Sequence, residues 1–151
     1  MAEISFYQLT SSSMESALPR LLEKAYASGK RVLVLAANDE KAEEYNRVLW
    51  TYHPHRFLPH GSAKDGNPEE QPIFITTDLA RNPNGADILA VTGDKEADFG
   101  GFSRVLYIFD GNDKESLAKA RGLWKENKAN EAQLSYFKQD EKGKWDKVEI
   151  A

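Results

Sequence analysis

Short apolar runs alternate with segments of helical period along most of the chain. Runs of strand length predict buried strands, and apolar side chains three and four residues apart predict helices packed on them. The predicted strands occupy residues 4–9, 31–36, 72–76, 86–91 and 105–109. The predicted helices begin near Ser13, Asp39 and Asp113 and end near Ser28, Trp50 and Lys128. This alternation favours an α/β fold with a mostly parallel sheet.

The last two apolar runs, 134–138 and 145–150, flank a turn at 140–143 and predict a C-terminal hairpin. We therefore expect residues 1–151 to form a single three-layer α/β domain, in which helices cover both faces of a mostly parallel central sheet.

The segment 53–71 does not fit the alternation. Its first half is too rich in proline for a helix and too polar for a core strand, and residues 61–70 are predicted to form a polar loop. Large apolar side chains nevertheless crowd into this segment and the helix end before it: Trp50, Tyr52, Phe57 and Leu58. Such side chains either plug the core or form a protein–protein hot spot, and the sequence leaves both open.

Composition excludes several kinds of site. The chain has 151 residues, of which 40% are hydrophobic and 29% charged, as in ordinary globular domains. It contains no cysteine, which excludes disulfides, thiolate metal sites and a cysteine nucleophile. Its net charge of -4 argues against avid, non-specific binding of nucleic acid.

Two features bear on location. No apolar run approaches the roughly 18 residues that span a bilayer. The N-terminal residues also lack a basic region followed by an apolar one. We expect a cytoplasmic protein without membrane contact.

The alternation of strands and helices raises the question of nucleotide binding. A phosphate loop needs a glycine-rich turn between strand and helix, and the turn at 36–39 contains no glycine. No dinucleotide-binding glycine motif is present either. Asp110 ends an apolar strand, where an aspartate could bind magnesium, although a turn residue before Gly111 is the simpler interpretation.

Metal and nucleophile chemistry have equally little support. His53, His55 and His60 are close in sequence, but the first two flank Pro54 and would diverge in an extended segment. No Gly-x-Ser-x-Gly elbow surrounds a serine. We expect no metal, no cofactor and no catalytic residue. A degenerate nucleotide-dependent site near Asp110 remains the enzyme alternative.

A basic and aromatic stripe on the third predicted helix is the strongest candidate site. Arg121, Trp124, Lys125 and Lys128 are spaced to lie on one side of that helix. On an acidic chain, three cations and an indole suggest a docking site for an acidic partner with an apolar tip. The alternatives are that Trp124 belongs to the core beneath solvated lysines, or that the stripe binds single-stranded DNA.

Several segments, taken in order, resemble the chi subunit family of bacterial DNA polymerase III over nearly the whole chain. They are Phe-Leu-Pro-His at 57–60, Asn-Gly-Ala-Asp-Ile-Leu at 84–89, Phe-Asp-Gly-Asn-Asp at 109–113, Ala-Arg-x-x-Trp-Lys at 120–125 and Tyr-Phe-Lys-Gln at 136–139. The resemblance implies a nucleotide-binding-like topology that lacks the nucleotide motifs. It also implies an accessory subunit of the clamp-loader assembly, without catalysis of its own, inside a DNA-directed DNA polymerase holoenzyme.

The resemblance further implies partners and their sites. Family members pair with the psi subunit and bind the acidic C-terminal tail of the single-stranded-DNA-binding protein, whose last residue is phenylalanine. The tail-binding positions here match Arg121, Trp124, Lys125 and Lys128, and the psi-binding positions match Trp50, Phe57 and Leu58. A repair helicase is a further candidate partner, and DNA is contacted only indirectly. The family often has more arginine along this helix, whereas Gly122 and Glu126 lie within it here. This departure suggests either a weaker tail affinity or a contribution from cations elsewhere.

Overall fold

Strands and helices alternate through most of the chain in the computed structural model, which describes residues 3–51, 60–62, 70–78, 82, 84–92 and 101–149. The strands are β1 Glu3–Leu9, β2 Val32–Leu35, β3 His60–Ser62, β4 Ile73–Thr76, β5 Ile88–Thr92, β6 Arg104–Asp110, β7 Gln133–Gln139 and β8 Trp145–Val148. The helices are α1 Met14–Ala27, α2 Asp39–Thr51 and α3 Lys114–Ala129. Among the described residues, no helix combines the length and the apolar character that crossing a bilayer requires.

All the strands join one eight-stranded sheet in the order β3-β4-β2-β5-β6-β1-β7-β8. Neighbouring strands run parallel from β3 to β7, and only β8 is antiparallel to its neighbour. The predicted α/β fold, mostly parallel sheet and C-terminal hairpin are therefore confirmed.

Helices cover both faces of this sheet. Within β2, Val34 points to the core beneath α1 and α2, where it meets Leu22, whereas Leu33 points to the core beneath α3 with Ala120. Continuous apolar strands are expected when both faces of a sheet are covered. The predicted three-layer arrangement is thus confirmed as well.

The edge strand β3 corrects the sequence prediction, which placed 61–70 in a loop and judged the preceding residues too polar for a strand. His60, Gly61 and Ser62 are buried and pair in parallel with β4. Helix α2 supplies the polar partners: the His60 Nε2 lies 3.1 Å from the carbonyl oxygen of Asn46, and the Ser62 hydroxyl donates to Glu43 over 2.7 Å. Polar residues can form a buried strand when a neighbouring helix offers hydrogen-bond partners.

The turn between β6 and α3 fixes where α3 begins. The Gly111 N–H donates to the carbonyl oxygen of Leu9 over 2.7 Å, and a Cβ on Gly111 would lie only 2.8 Å from that oxygen. The Asn112 side chain donates to the carbonyl oxygen of Thr10, and Asp113 caps α3 by accepting a backbone N–H of its first turn. The helix is therefore anchored to the end of β1, and the predicted structural role of this turn is confirmed.

The buried side chain of Gln139 helps to tie the C-terminal hairpin to the loop after β1. Its Oε1 accepts the backbone N–H groups of Thr10, Ser11 and Ser12 at 3.1, 3.3 and 3.2 Å. Its Nε2 donates to the Ser12 hydroxyl over 3.1 Å. Because Gln139 ends β7, this network also fixes the position of the β7–β8 hairpin along the sheet.

The Gln139 network predicts a graded loss of stability. Gln139→Ala leaves three backbone N–H groups without their acceptor and should lower the free energy of unfolding by about 2–4 kcal/mol. Gln139→Glu should lower it less, because a carboxylate accepts the same N–H groups through charge-assisted hydrogen bonds. Urea denaturation at neutral pH, followed by circular dichroism, measures both.

Gln133→Ala is the matched control, since Gln133 is exposed at the other end of β7; we expect almost no change. Equal losses in Gln139→Ala and Gln139→Glu would contradict the acceptor role of the side chain at position 139.

Candidate functional site

A groove of about 760 Å³ lies between α3 and the β7–β8 hairpin. It forms because α3 packs on β6 and β7, whereas β8 lies one strand farther out and leaves Val148 exposed. The described residues that line it are Gln8, Arg121, Trp124, Lys125, Lys128, Ala129, Tyr136, Lys138 and Val148. The structure therefore brings together, in one groove, all four residues that the sequence predicted on α3.

The groove is strongly cationic. Four of its lining residues are the exposed cations Arg121, Lys125, Lys128 and Lys138, and the described lining contains no aspartate or glutamate. Within the described part of the chain, none of these cations takes part in an ion pair. Asp146 is the cross-strand partner of Lys138 in the hairpin, yet the two form no ion pair. On a chain with net charge -4, this local excess of positive charge attracts anionic ligands.

Trp124 contributes both to the core and to the groove. Its ring packs edge-on against Phe6, with the centroids 5.3 Å apart, and against Tyr136 at 5.8 Å. Its indole Nε1 is buried and has no hydrogen-bond partner among the described residues. The two sequence interpretations of Trp124, as a core residue and as part of a docking site, are therefore compatible.

Tyr136 and Gln8 form the floor of the groove. The buried Tyr136 hydroxyl donates a hydrogen bond to the Gln8 Oε1. Burial raises the pKa of the Tyr136 hydroxyl, and the positive charge of Arg121 offsets part of that rise. The hydroxyl therefore keeps its proton at neutral pH and remains the donor in this pair.

Five groove residues were not predicted from the sequence: Gln8, Ala129, Tyr136, Lys138 and Val148. Alternation along β7 could have placed Tyr136 and Lys138 on one face of the sheet. The approach of Gln8 to Tyr136, which is 128 positions away in sequence, depends on the pairing of β1 with β7. No local signal reports such a pairing.

The residues predicted to bind the psi subunit are only partly described. Trp50 lies near the end of α2, is 56% exposed, and has its ring 4.9 Å from that of His60. Phe57 and Leu58 lie outside the described residues. Trp50 stands beside β3 at one edge of the sheet, and the groove lies at the other edge and on the opposite face.

The nucleotide alternative named Asp110. In the structure Asp110 ends β6 and borders the crevice at the carboxyl ends of β1 and β6, where the chain leaves toward opposite faces of the sheet. Open α/β sheets commonly bind phosphates at such a point. Here the backbone N–H groups of residues 10–12 already donate to the side chain of Gln139. Asp110 accepts the N–H of Asn112 over 2.9 Å and so stabilises its own turn.

The metal alternative concerned three histidines. His60 is buried against α2, and His53 and His55 lie outside the described residues. In the described ranges, no three histidine, cysteine, aspartate or glutamate side chains are grouped so that they could hold a metal ion.

Comparison with known proteins places the chain in a family. The model of the family described as DNA polymerase III chi subunit, HolC, matches residues 1–135. The probable DNA polymerase III subunit chi of Rickettsia prowazekii (strain Madrid E) is 31% identical over 158 aligned positions, covering 98% of this chain and 93% of the relative.

Two further relatives carry the name DNA polymerase III subunit chi. The Escherichia coli (strain K12) protein is 28% identical over 112 positions, covering 73% of this chain and 76% of its own length. The Haemophilus influenzae protein (strain ATCC 51907 / DSM 11121 / KW20 / Rd) is 27% identical over 124 positions, covering 80% and 86%. The resemblance noted in the sequence is confirmed: the chain belongs to the DNA polymerase III chi subunit family.

Proposed function

We propose that this protein is a non-catalytic, single-domain, cytoplasmic subunit of the DNA polymerase III clamp-loader assembly. It bridges the psi subunit to the acidic C-terminal tail of the single-stranded-DNA-binding protein during DNA replication. The observation that carries this proposal is the groove beside α3, in which four exposed cations, without ion-pair partners among the described residues, lie beside the ring of Trp124 and the exposed Val148.

The chemistry of the groove matches that of the tail. Arg121, Lys125, Lys128 and Lys138 attract the aspartate carboxylates, and the Arg121 guanidinium can hold a carboxylate through two parallel hydrogen bonds. The apolar side chain of the last tail residue packs on Trp124, near Ala129 and Val148. An affinity in the micromolar range, on the order of 8 kcal/mol, fits such a short peptide.

The psi subunit is assigned to the opposite end of the molecule, where Trp50 offers an exposed aromatic surface beside His60. Phe57 and Leu58 complete the proposed contact. Strands β3 and β7 are six positions apart in the sheet order, roughly 29 Å at the usual strand spacing. Two partners can therefore bind at once without competing, as a bridging role requires.

DNA is contacted indirectly in this account, through the tail-binding partner. The overall charge of -4 opposes tight binding to a phosphate backbone outside the groove. A repair helicase is a further candidate partner of the same protein.

Charge reversal in the groove should weaken tail binding. Arg121→Glu and Lys125→Glu each replace an attractive charge with a repulsive one in the groove lining. We expect each to raise the dissociation constant of a short, aspartate-rich peptide ending in phenylalanine by about tenfold or more. Isothermal titration calorimetry measures this, and the wild-type affinity should fall as salt is added.

Lys119→Glu is the matched control, because Lys119 is exposed on the same helix but does not line the groove. Unchanged binding in the Arg121 and Lys125 variants, or an equal loss in the Lys119 variant, would contradict the site. Tight binding of a single-stranded oligonucleotide, lost in the same two variants, would favour direct DNA binding instead.

Two separate sites should also be separable by mutation. Trp50→Ala should abolish binding of purified psi and leave the peptide affinity unchanged, because Trp50 is largely exposed and remote from the groove. Arg121→Ala should do the reverse. Size-exclusion chromatography with psi and fluorescence anisotropy with labelled peptide measure the two partners. A variant that abolishes both interactions while it remains folded would refute the two-site arrangement.

A further inference from the structure

We propose that Thr10 is a positioning residue for the groove between α3 and the β7–β8 hairpin. Thr10 is not among the described residues that line the groove, but it is hydrogen-bonded to both of the structures that flank it. These bonds fix the position of Lys138, on the hairpin side, relative to Arg121, on the helix side. The inference rests on the proposed function and names a residue outside the groove on which the peptide affinity depends.

On the hairpin side, Thr10 makes two hydrogen bonds to one residue. Its backbone N–H donates to the Gln139 Oε1 over 3.1 Å, and its hydroxyl donates to the Gln139 carbonyl oxygen over 2.9 Å. The second bond holds the backbone of β7 directly. Lys138 lines the groove and immediately precedes Gln139, so its backbone is tied to the residue that follows β1.

On the helix side, Thr10 accepts one hydrogen bond. The Asn112 side-chain amide donates to the Thr10 carbonyl oxygen over 3.0 Å. Asn112 directly precedes Asp113, the residue that caps the start of α3, and Arg121 lies about two turns farther along the same helix. Thr10 therefore bonds to the hairpin through its N–H and hydroxyl and to the start of the helix through its carbonyl oxygen.

The end of the groove nearest Thr10 holds Arg121 and Lys138. Helix α3 begins after the carboxyl end of β6 and ends before the amino end of β7, so it runs antiparallel to both strands. Arg121 consequently lies nearer to the carboxyl ends of the strands than Lys128, which is about two turns farther along α3. Lys138 pairs with Gln8, two residues before Thr10.

A fixed spacing between Arg121 and Lys138 favours binding of an anion to both. The two side chains are exposed and carry like charges, which repel each other unless an anion lies between them. Their relative position therefore depends on how firmly the two backbones are held. Because the bonds of Thr10 hold both backbones before a ligand arrives, less conformational entropy is lost when a carboxylate binds.

Thr10→Val tests this role, because valine keeps the shape of the side chain but lacks the hydroxyl that bonds to Gln139. We expect it to raise the dissociation constant of a short, aspartate-rich peptide ending in phenylalanine by about threefold to fivefold. Asn112→Ala removes the bond on the helix side and should weaken binding to a similar extent. Thr10→Ser keeps the hydroxyl and should bind nearly as tightly as the wild type. Isothermal titration calorimetry measures all four proteins.

A double-mutant cycle separates positioning from a general loss of structure. If Thr10 acts through Lys138, adding Thr10→Val to Lys138→Ala should change the peptide affinity by less than about 1.5-fold. Adding Thr10→Val to Lys128→Ala, a change at the far end of the groove, should weaken binding by about threefold or more, as it does in the wild type.

Thr92→Val is the matched control, because the Thr92 hydroxyl also donates to a backbone carbonyl oxygen, that of Leu35, over 2.7 Å. Thr92 ends β5, outside the groove, so this variant should lose stability and keep the wild-type peptide affinity.

Unchanged affinity in Thr10→Val or Asn112→Ala would overturn the role of Thr10. Equal losses in the Lys138→Ala and Lys128→Ala proteins, or a loss of affinity in Thr92→Val, would overturn it too. In each of these cases the tail-binding function survives. A wild-type protein that does not bind the peptide would refute the proposed function itself, and with it this inference.

Discussion

Strand β1 lies between β6 and β7 and pairs with both, so it joins the central strands of the sheet to the C-terminal hairpin. Seven register positions of β1 pair with β6 and six with β7, all in parallel. Fully burying a side chain such as that of Phe6 contributes about 1.5–3 kcal/mol to the free energy of folding. The ring of Phe6 also packs against the ring of Trp124. The same strand brings Gln8 to Tyr136 and offers the carbonyl oxygen of Leu9 to Gly111. The position of this one strand therefore determines the core on the α3 face, the floor of the groove and the point where α3 begins.

This arrangement separates two parts of the molecule that otherwise resemble binding sites. At the carboxyl ends of β1 and β6, the protein's own groups form hydrogen bonds with one another. The Gln139 side chain accepts three backbone N–H groups, and the Asp110 side chain accepts the backbone N–H of Asn112. On the face beneath α3, the cations stay without ion-pair partners in the described chain. The mostly parallel sheet and its strand-end crevice are therefore occupied by internal hydrogen bonds, while the cations without ion-pair partners among the described residues lie elsewhere, between α3 and the hairpin. That surface is suited to an anionic ligand.

Local sequence patterns predicted the elements that depend on local forces. Continuous apolar runs such as 105–109 predicted buried strands, and the spacing of Arg121, Trp124, Lys125 and Lys128 placed four side chains on one helix side. The features that local patterns did not predict depend on contacts between residues that are far apart in sequence. His60 and Ser62 form a strand because α2 satisfies their polar groups. Gln8 and Lys138 join the groove because β1 pairs with a strand at the far end of the chain. Phe57 and Leu58 lie outside the described residues.

We propose that the groove between α3 and the β7–β8 hairpin receives an acidic chain end. A nuclear magnetic resonance titration of the ¹⁵N-labelled full chain with the unlabelled acidic peptide tests it most directly. We expect amide shifts concentrated in 121–129, 136–138 and 146–148, together with a shift of the Trp124 indole N–H and none at the end of α2. Shifts centred instead on residues 10–13 and Lys41, around the strand-end crevice, would contradict it.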